Sequence, residues 1–243
     1  MPTTSLISNK KIPVNERLIV ALDMPNANEA KVFVEKLGPS VNFYKIGLEL
    51  FMAGDYFELL DWLIARKKKI FVDLKFFDVP ETVRAAVRAL AKRNVAFATV
   101  HGNHAIMEAA AKDKGNIKIL AVTALTSLDQ GDIDDLGFKC DIDQLVLSRA
   151  RRALQTGCDG VISSGIEAAK LRSELGEKLM IVCPGIRPVE NKPVDDQKRT
   201  VDVAQAFNNG ADYIVVGRPI RTAVDPKAAA EQIQQTVKSI FAK

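Results

Sequence analysis

Ile70-Phe71-Val72-Asp73-Leu74-Lys75-Phe76-Phe77-Asp78-Val79-Pro80 passes from apolar residues into charge and then into the start of a helix. Ile70 to Val72 are apolar, and Asp73 and Lys75 follow two residues apart. On a strand that spacing puts both side chains on one face and Leu74 on the other. An alanine-rich helical pattern begins near Glu81. The stretch therefore reads as strand, charged mouth and helix. An opposite-charge pair at the end of an apolar strand costs desolvation unless something offsets it. A salt-bridged strand end at a loop fits the same spacing, so the neighbouring segments must decide between the two.

Those segments repeat the pattern. Upstream, Arg17 to Asp23 is an apolar run ending in a carboxylate, and a helix with Val32, Phe33 and Leu37 on one face opens at Asn26. Phe43 to Gly47 is a second strand, with a helix around Tyr56 to Ala65. Downstream, Ala96 to His101, Ile117 to Thr123, Gly160 to Ser163, Leu179 to Cys183 and Tyr213 to Gly217 complete eight strands. Helices are expected through about Arg93, then over 105–112, 142–155, 166–175 and 226–240. Near-continuous Val/Ile/Leu strands mean burial on both faces, as in a parallel sheet wrapped by helices. Eight such units close into a (β/α)8 TIM barrel. The competing doubly wound sheet would carry a glycine-rich phosphate turn after the first strand, and Leu22-Asp23-Met24-Pro25 has none.

At 243 residues the chain suits one barrel domain, 1–243, because no linker or composition shift divides it. Residues 1–16 read as an N-terminal extension, and the polar stretch 185–199 as a lid, since loops of that length are commonly functional. The net charge of +4 is dispersed, and the basic clusters 66–69 and 149–152 fall near helix ends, where solvated faces are the default. They lack aromatic partners, which argues against nucleic acid. Cys140, Cys158 and Cys183 lack metal-ligand spacing and read as buried thiols of a reducing compartment. With no apolar leader and no run of membrane length, a cytoplasmic protein is expected.

Polar residues at the C-terminal ends of barrel strands are the site candidates. That rule gathers Asp23, Lys45, Asp73, Lys75, Thr99, His101, Thr126, Ser127 and Arg218 at one mouth. The array Lys45, Asp73, Lys75, Asp78 alternates in sign. A unit-charge pair about 4 Å apart interacts by roughly 4 kcal/mol at an effective dielectric near 20, so such an array can stay ionised in a dry site. It would also respond to any charge that develops in a reaction. Gly217-Arg218-Pro219, after the eighth strand, lies where barrels often bind phosphate, and Arg218 supplies a planar cationic fork. Arg187 and Gln197 are the useful polar groups of the lid, while His101 and His104 read as structural and exposed.

Taken together, these residues resemble a known family. Asp73-Leu74-Lys75-Phe76-Phe77-Asp78-Val79-Pro80 is similar to the Asp-x-Lys-x-x-Asp signature of the orotidine 5'-phosphate decarboxylases. Ala21-Leu22-Asp23, Lys45-Ile46-Gly47, Val122 to Ser127, Pro184 to Pro188 and Gly217-Arg218-Pro219 resemble its other motifs, in order, from about residue 17 to 241. Two departures stand out: Phe77 to Thr82 reads differently from many bacterial members, and His101 to His104 lacks a small-residue pair. Neither removes a charged catalytic position.

The resemblance implies conversion of orotidine 5'-monophosphate to uridine 5'-monophosphate and carbon dioxide, the last step of de novo pyrimidine nucleotide synthesis, without metal or organic cofactor. It implies Lys75 as counter-charge and proton donor, Asp73 against the departing carboxylate, and Lys45 and Asp78 holding the array. Asp23 would hold ribose hydroxyls, Thr82 and Thr126 would lie near ribose and ring, and Ser127 would contact the pyrimidine. Gln197, Gly217 and Arg218 would hold the phosphate, with Arg187 on the lid. It further implies a homodimer in which Asp78 enters the neighbouring subunit's site. Two rivals remain distinct in kind. Magnesium-dependent sugar-phosphate decarboxylases and synthases share the signature but place a glutamate ligand where Lys45 stands, and a cation there repels the metal. A non-catalytic nucleotide-binding barrel would not need Asp73 and Lys75.

Overall fold

A computed structural model describes residues 6–187 and 199–241. The strands β1 (Leu18–Ala21), β2 (Phe43–Gly47), β3 (Lys69–Phe76), β4 (Phe97–His101), β5 (Lys118–Val122), β6 (Gly160–Ile162), β7 (Met180–Cys183) and β8 (Tyr213–Val216) pair in sequence order. Every pairing is parallel, and β8 returns to β1 through Leu18↔Ile214 and Val20↔Val216, which closes the barrel. The expected eight-stranded barrel is the fold.

Side-chain alternation divides the core in two. Ile19, Phe43, Phe71, Phe97, Leu120, Val182 and Tyr213 point into the barrel, where the rings of Phe43 and Phe97 lie 4.9 Å apart and those of Phe97 and Tyr213 5.1 Å apart. Leu18, Val20, Tyr44, Ile46, Ile70 and Val72 point outward against the helices. The period of two then places Lys45 and Asp73 one inward position above Phe43 and Phe71. The aromatic floor fixes the depth of the polar mouth.

The helices are α1 (Ala27–Leu37), α2 (Leu48–Met52), α3 (Tyr56–Ala65), α4 (Pro80–Leu90), α5 (His104–Lys112), α6 (Gln130–Asp135), α7 (Ile142–Gln155), α8 (Ala168–Leu175), α9 (Val203–Asn208), α10 (Arg218–Arg221) and α11 (Pro226–Phe241). Short polar side chains start several of them. Asn26 accepts from the Glu29 N–H, Asp141 from that of Gln144 and Asp202 from that of Gln205, each satisfying an otherwise unpaired donor of the first turn. On α4, Pro80 opens the helix, while Val83, Val87 and Leu90 form its buried face. At the opposite end of the barrel, Lys10 and Arg172 converge on the buried carboxylate of Asp212 at 2.9 and 2.8 Å, which ties the N-terminal segment to the barrel.

Several expectations change. Helices α2, α6, α9 and α10 were not anticipated. Arg149, assigned to a solvated cluster, is half-buried and donates to the Thr123 carbonyl at 2.5 Å. Cys158 and Cys183 are buried, but Cys140 only half so. Among the described residues no helix is long and apolar enough to cross a membrane.

Candidate active site

The C-terminal ends of the strands surround a cleft of about 430 Å³. Asp23, Lys45, Asp73, Lys75, Thr126, Ser127, Arg187, Gly217 and Arg218 all line it. Residues far apart in the chain meet there because they end or follow six of the eight strands, β1, β2, β3, β5, β7 and β8.

Asp23, Lys45, Asp73 and Lys75 form one chain of alternating charge. Lys45 Nζ lies 3.0 Å from Asp23 Oδ1 and 3.4 Å from Asp73 Oδ2. Lys75 Nζ lies 3.0 Å from the same Asp73 oxygen. Burial opposes ionisation of Asp73, but Lys45 and Lys75, together with hydrogen bonds from Lys75 and Thr99, hold its carboxyl below the usual range. Burial likewise opposes the Lys45 charge, yet Asp73 and Asp23 outweigh it and raise its pKa. The pair is therefore charged in the folded chain. Gly47 gives the ammonium room: a Cβ there would stand 3.3 Å from Lys45 Nζ.

The β3 end is not the regular strand that the Asp73/Lys75 spacing implies. Pairing with β4 runs Val72↔Ala98 and then Phe76↔Val100, so β3 carries two surplus residues. Lys75 sits at φ +47°, a region that L-residues with long side chains rarely enter. Bulges of this kind re-aim side chains next to active sites. Leu74 still packs outward against the helical layer, as expected.

The phosphate-side candidates follow β7 and β8. Gly185 adopts φ +72° and turns the chain off β7. Arg187 then lies buried at the cleft wall, where its N–H bonds the Val201 carbonyl at 2.9 Å. With the Ile186↔Val201 bridge, this pins the two ends of the expected lid together. Gly217 caps α10, whose first residue is Arg218.

The chain matches the sequence profile of the Orotidine 5'-phosphate decarboxylase / HUMPS family over residues 16–233. The chain belongs to that family. It is 67% identical over 238 residues to an orotidine 5'-phosphate decarboxylase of Methylococcus capsulatus, covering 98% of each chain. A Stenotrophomonas maltophilia protein of the same name is 52% identical over 231 residues, 94% of this chain and 95% of that one. Among solved structures, orotidine 5'-phosphate decarboxylase from Lactobacillus acidophilus superimposes with a TM-score of 0.80 at 36% identity, covering 91% of this chain and 99% of that one.

As a member of the orotidine 5'-phosphate decarboxylase / HUMPS family, the chain spreads its Asp-x-Lys-x-x-Asp motif over the β3 end and the turn into α4. The last aspartate parts company with the other two charges. Among the described residues, neither Asp78 nor Thr82 lines the cleft, and both are exposed. Asp78 accepts from the Val79 N–H at 2.6 Å. Phe77 and Val79, on either side of it, are 65% and 63% exposed. Gln197 lies outside the described residues.

Two other residues gathered at the mouth stand apart from the cleft. Thr99 lies fully buried beneath it, bonded to Asp73. His101 turns aside: its Nδ1 lies 2.9 Å from Asn103 Oδ1, and its ring stacks on Phe77 at 4.4 Å. The sequence reading also passed over Glu167 and Arg199. They form an ion pair, and Arg199 donates to the Leu125 carbonyl at 2.8 Å, next to Thr126 and Ser127. Burial raises the Glu167 pKa, and Arg199 offsets only part of that.

Proposed function

We propose that this chain decarboxylates orotidine 5'-monophosphate to uridine 5'-monophosphate. The observation that carries the reading is the Asp23–Lys45–Asp73–Lys75 array, set at the mouth of a barrel that carries Gly217 and Arg218 on the same cleft. In the reaction the bond between the ring and its carboxylate breaks, carbon dioxide leaves, and the electron pair stays on the ring carbon. That lone pair lies in the ring plane and cannot spread into the π system, so a fixed cation beside it is the direct remedy. Lys75 is the cation placed for this, and its ammonium then delivers the proton that completes uridine monophosphate. The neutral amine regains its proton from solvent.

Asp73 is assigned to the departing carboxylate. Its negative charge disfavours a bound carboxylate more than the product that lacks one. Lys45 keeps Asp73 ionised and is itself braced by Asp23, which retains an oxygen for a ribose hydroxyl. Thr126 and Ser127 are assigned to ring and ribose. Arg218, the Gly217 backbone and Arg187 take the phosphate, with Gln197 joining them by resemblance to the family. Residues 185–199 act as the lid of this single-domain barrel.

The reading also includes a homodimer. Asp78 and Thr82 are exposed outside their own cleft, and exposed Phe77 and Val79 flank Asp78 with apolar surface that a second subunit would cover. In that arrangement both polar residues serve the neighbouring site. The magnesium-dependent rival is disfavoured by Lys45, which already occupies both nearby carboxylates. The test is to mix protein, orotidine monophosphate and a chelator and to follow the orotate absorbance. Undiminished turnover is expected. Turnover only with added magnesium would overturn the metal-free mechanism, and no turnover under any condition would sink the assignment.

A further inference from the structure

Thr99 on β4 is fully buried and is not among the residues lining the cleft. Its hydroxyl nevertheless bonds both members of the central charge pair. It donates to Asp73 Oδ1 at 2.9 Å and accepts from the Lys75 backbone N–H at 2.9 Å. A hydroxyl has one proton to give and lone pairs to accept with, so the two bonds are compatible and fix each other's direction.

The bulge explains why the hydroxyl is needed. Between Val72↔Ala98 and Phe76↔Val100, β3 advances four residues while β4 advances two. Residues in that surplus lose their regular ladder partners, and a backbone N–H away from water must find another acceptor. The Thr99 oxygen takes that place for Lys75. Left-handed backbone at a lysine persists only where its surroundings enforce it, and this bond is one such restraint. The other bond sets the carboxylate plane. With Oδ1 held by Thr99, Oδ2 is presented to Lys75 at 3.0 Å and to Lys45 at 3.4 Å.

We propose that Thr99 is a positioning residue for decarboxylation, locking the β3 bulge so that Lys75 and the Asp73 carboxylate are aimed without itself touching substrate. The proposal rests on the decarboxylase reading. Valine is nearly isosteric with threonine but can make neither bond, whereas serine can make both.

The experiment compares wild type, Thr99→Val and Thr99→Ser by turnover of orotidine monophosphate, calorimetric affinity for uridine monophosphate, and melting temperature. Misplacement of a reacting group by about an ångström costs on the order of 10²-fold, and a loss of that size in kcat is expected for T99V. Product affinity should stay within about threefold, because the phosphate and ribose contacts are untouched. T99S should recover most of the lost kcat. If T99V does not fold, Thr99→Cys, whose thiol is a weak donor and acceptor, replaces it with the same expectation.

T99V or T99C turning over within about threefold of wild type would overturn the proposal, as would a T99S no faster than T99V. Parallel loss of kcat and product affinity would also overturn it, since that marks a general packing defect. Absence of turnover in wild type would instead count against the decarboxylase reading.

Discussion

Lys75 Nζ stands 3.0 Å from Asp73 Oδ2 across a bulged strand end, with the lysine backbone at φ +47°. The contact sets a cation and an anion side by side, and in the proposed reaction an anionic carboxylate gives way there to a carbanion and then to a proton. Removing the cation leaves the anion with Lys45 as its charged partner and the Thr99 hydroxyl as a donor. Lys75→Ala should therefore keep its fold, judged by circular dichroism, and lose counter-charge and proton donor together. A fall in kcat of about 10²–10⁴-fold is the minimum expected for loss of a positioned acid. Retention of more than about a twentieth of kcat would mean that another group supplies the proton.

Asp73→Asn tests the electrostatic coupling through stability. The carboxyl of Asp73 is held below its usual range, so its contribution is complete above the unfolded value, near 3.9, and fades as pH falls through the lower folded value. Lys45 has the opposite sign. Its pKa is raised, so its contribution is complete below the unfolded value, near 10.4, and is lost as pH rises through the higher folded value. In D73N the amide no longer supports the Lys45 charge, and burial then pulls its pKa down. The alkaline fall in melting temperature should begin at lower pH than in wild type. Superimposable alkaline limbs in scanning fluorimetry would refute the coupling.

Arg218→Ala addresses the part of the cleft that follows β8. Loss of the guanidinium should weaken phosphate binding and lower kcat/KM, since remote binding energy is used in the transition state. Added guanidinium ion should restore part of the activity. An unchanged kcat/KM would remove Arg218 from the phosphate site.

The outline of this architecture was legible because long apolar periods carry it. Phe43–Gly47, Tyr56–Ala65 and Ile142–Gln155 fall where hydrophobic spacing puts them. Leu48–Met52, Val203–Asn208 and Arg218–Arg221 span too few residues to show a period, and nearby glycines read as turns. The charged mouth was legible as a set of strand ends, but its wiring was not. Nothing in the spacing links Asp23 to Lys45, because the parallel register of β1 against β2, which sets Ala21 beside Lys45, creates that contact. The bulge was hidden too: a lysine at positive φ leaves no glycine or asparagine signal, so regular alternation was the natural reading. Thr99 could be placed at the mouth, but its task depends on that bulge.

The last prediction concerns Asp78, which is exposed outside its own cleft between exposed Phe77 and Val79. If it completes the site of a second subunit, two inactive variants can repair each other. Lys75→Ala and Asp78→Ala chains, each inactive as homodimers, are unfolded together in equal amounts and refolded. In every mixed dimer, one site then carries both defects and the other carries neither. About half of the dimers are mixed, so roughly a quarter of wild-type sites should return, by the combinatorics of a twofold dimer. If Asp78 serves its own subunit, every site in the mixed dimer keeps one defect and mixing restores nothing. Native mass spectrometry verifies that mixed dimers have formed. Mixed dimers without recovered turnover would place Asp78 in its own subunit's chemistry, and recovery near a quarter would place it in its neighbour's.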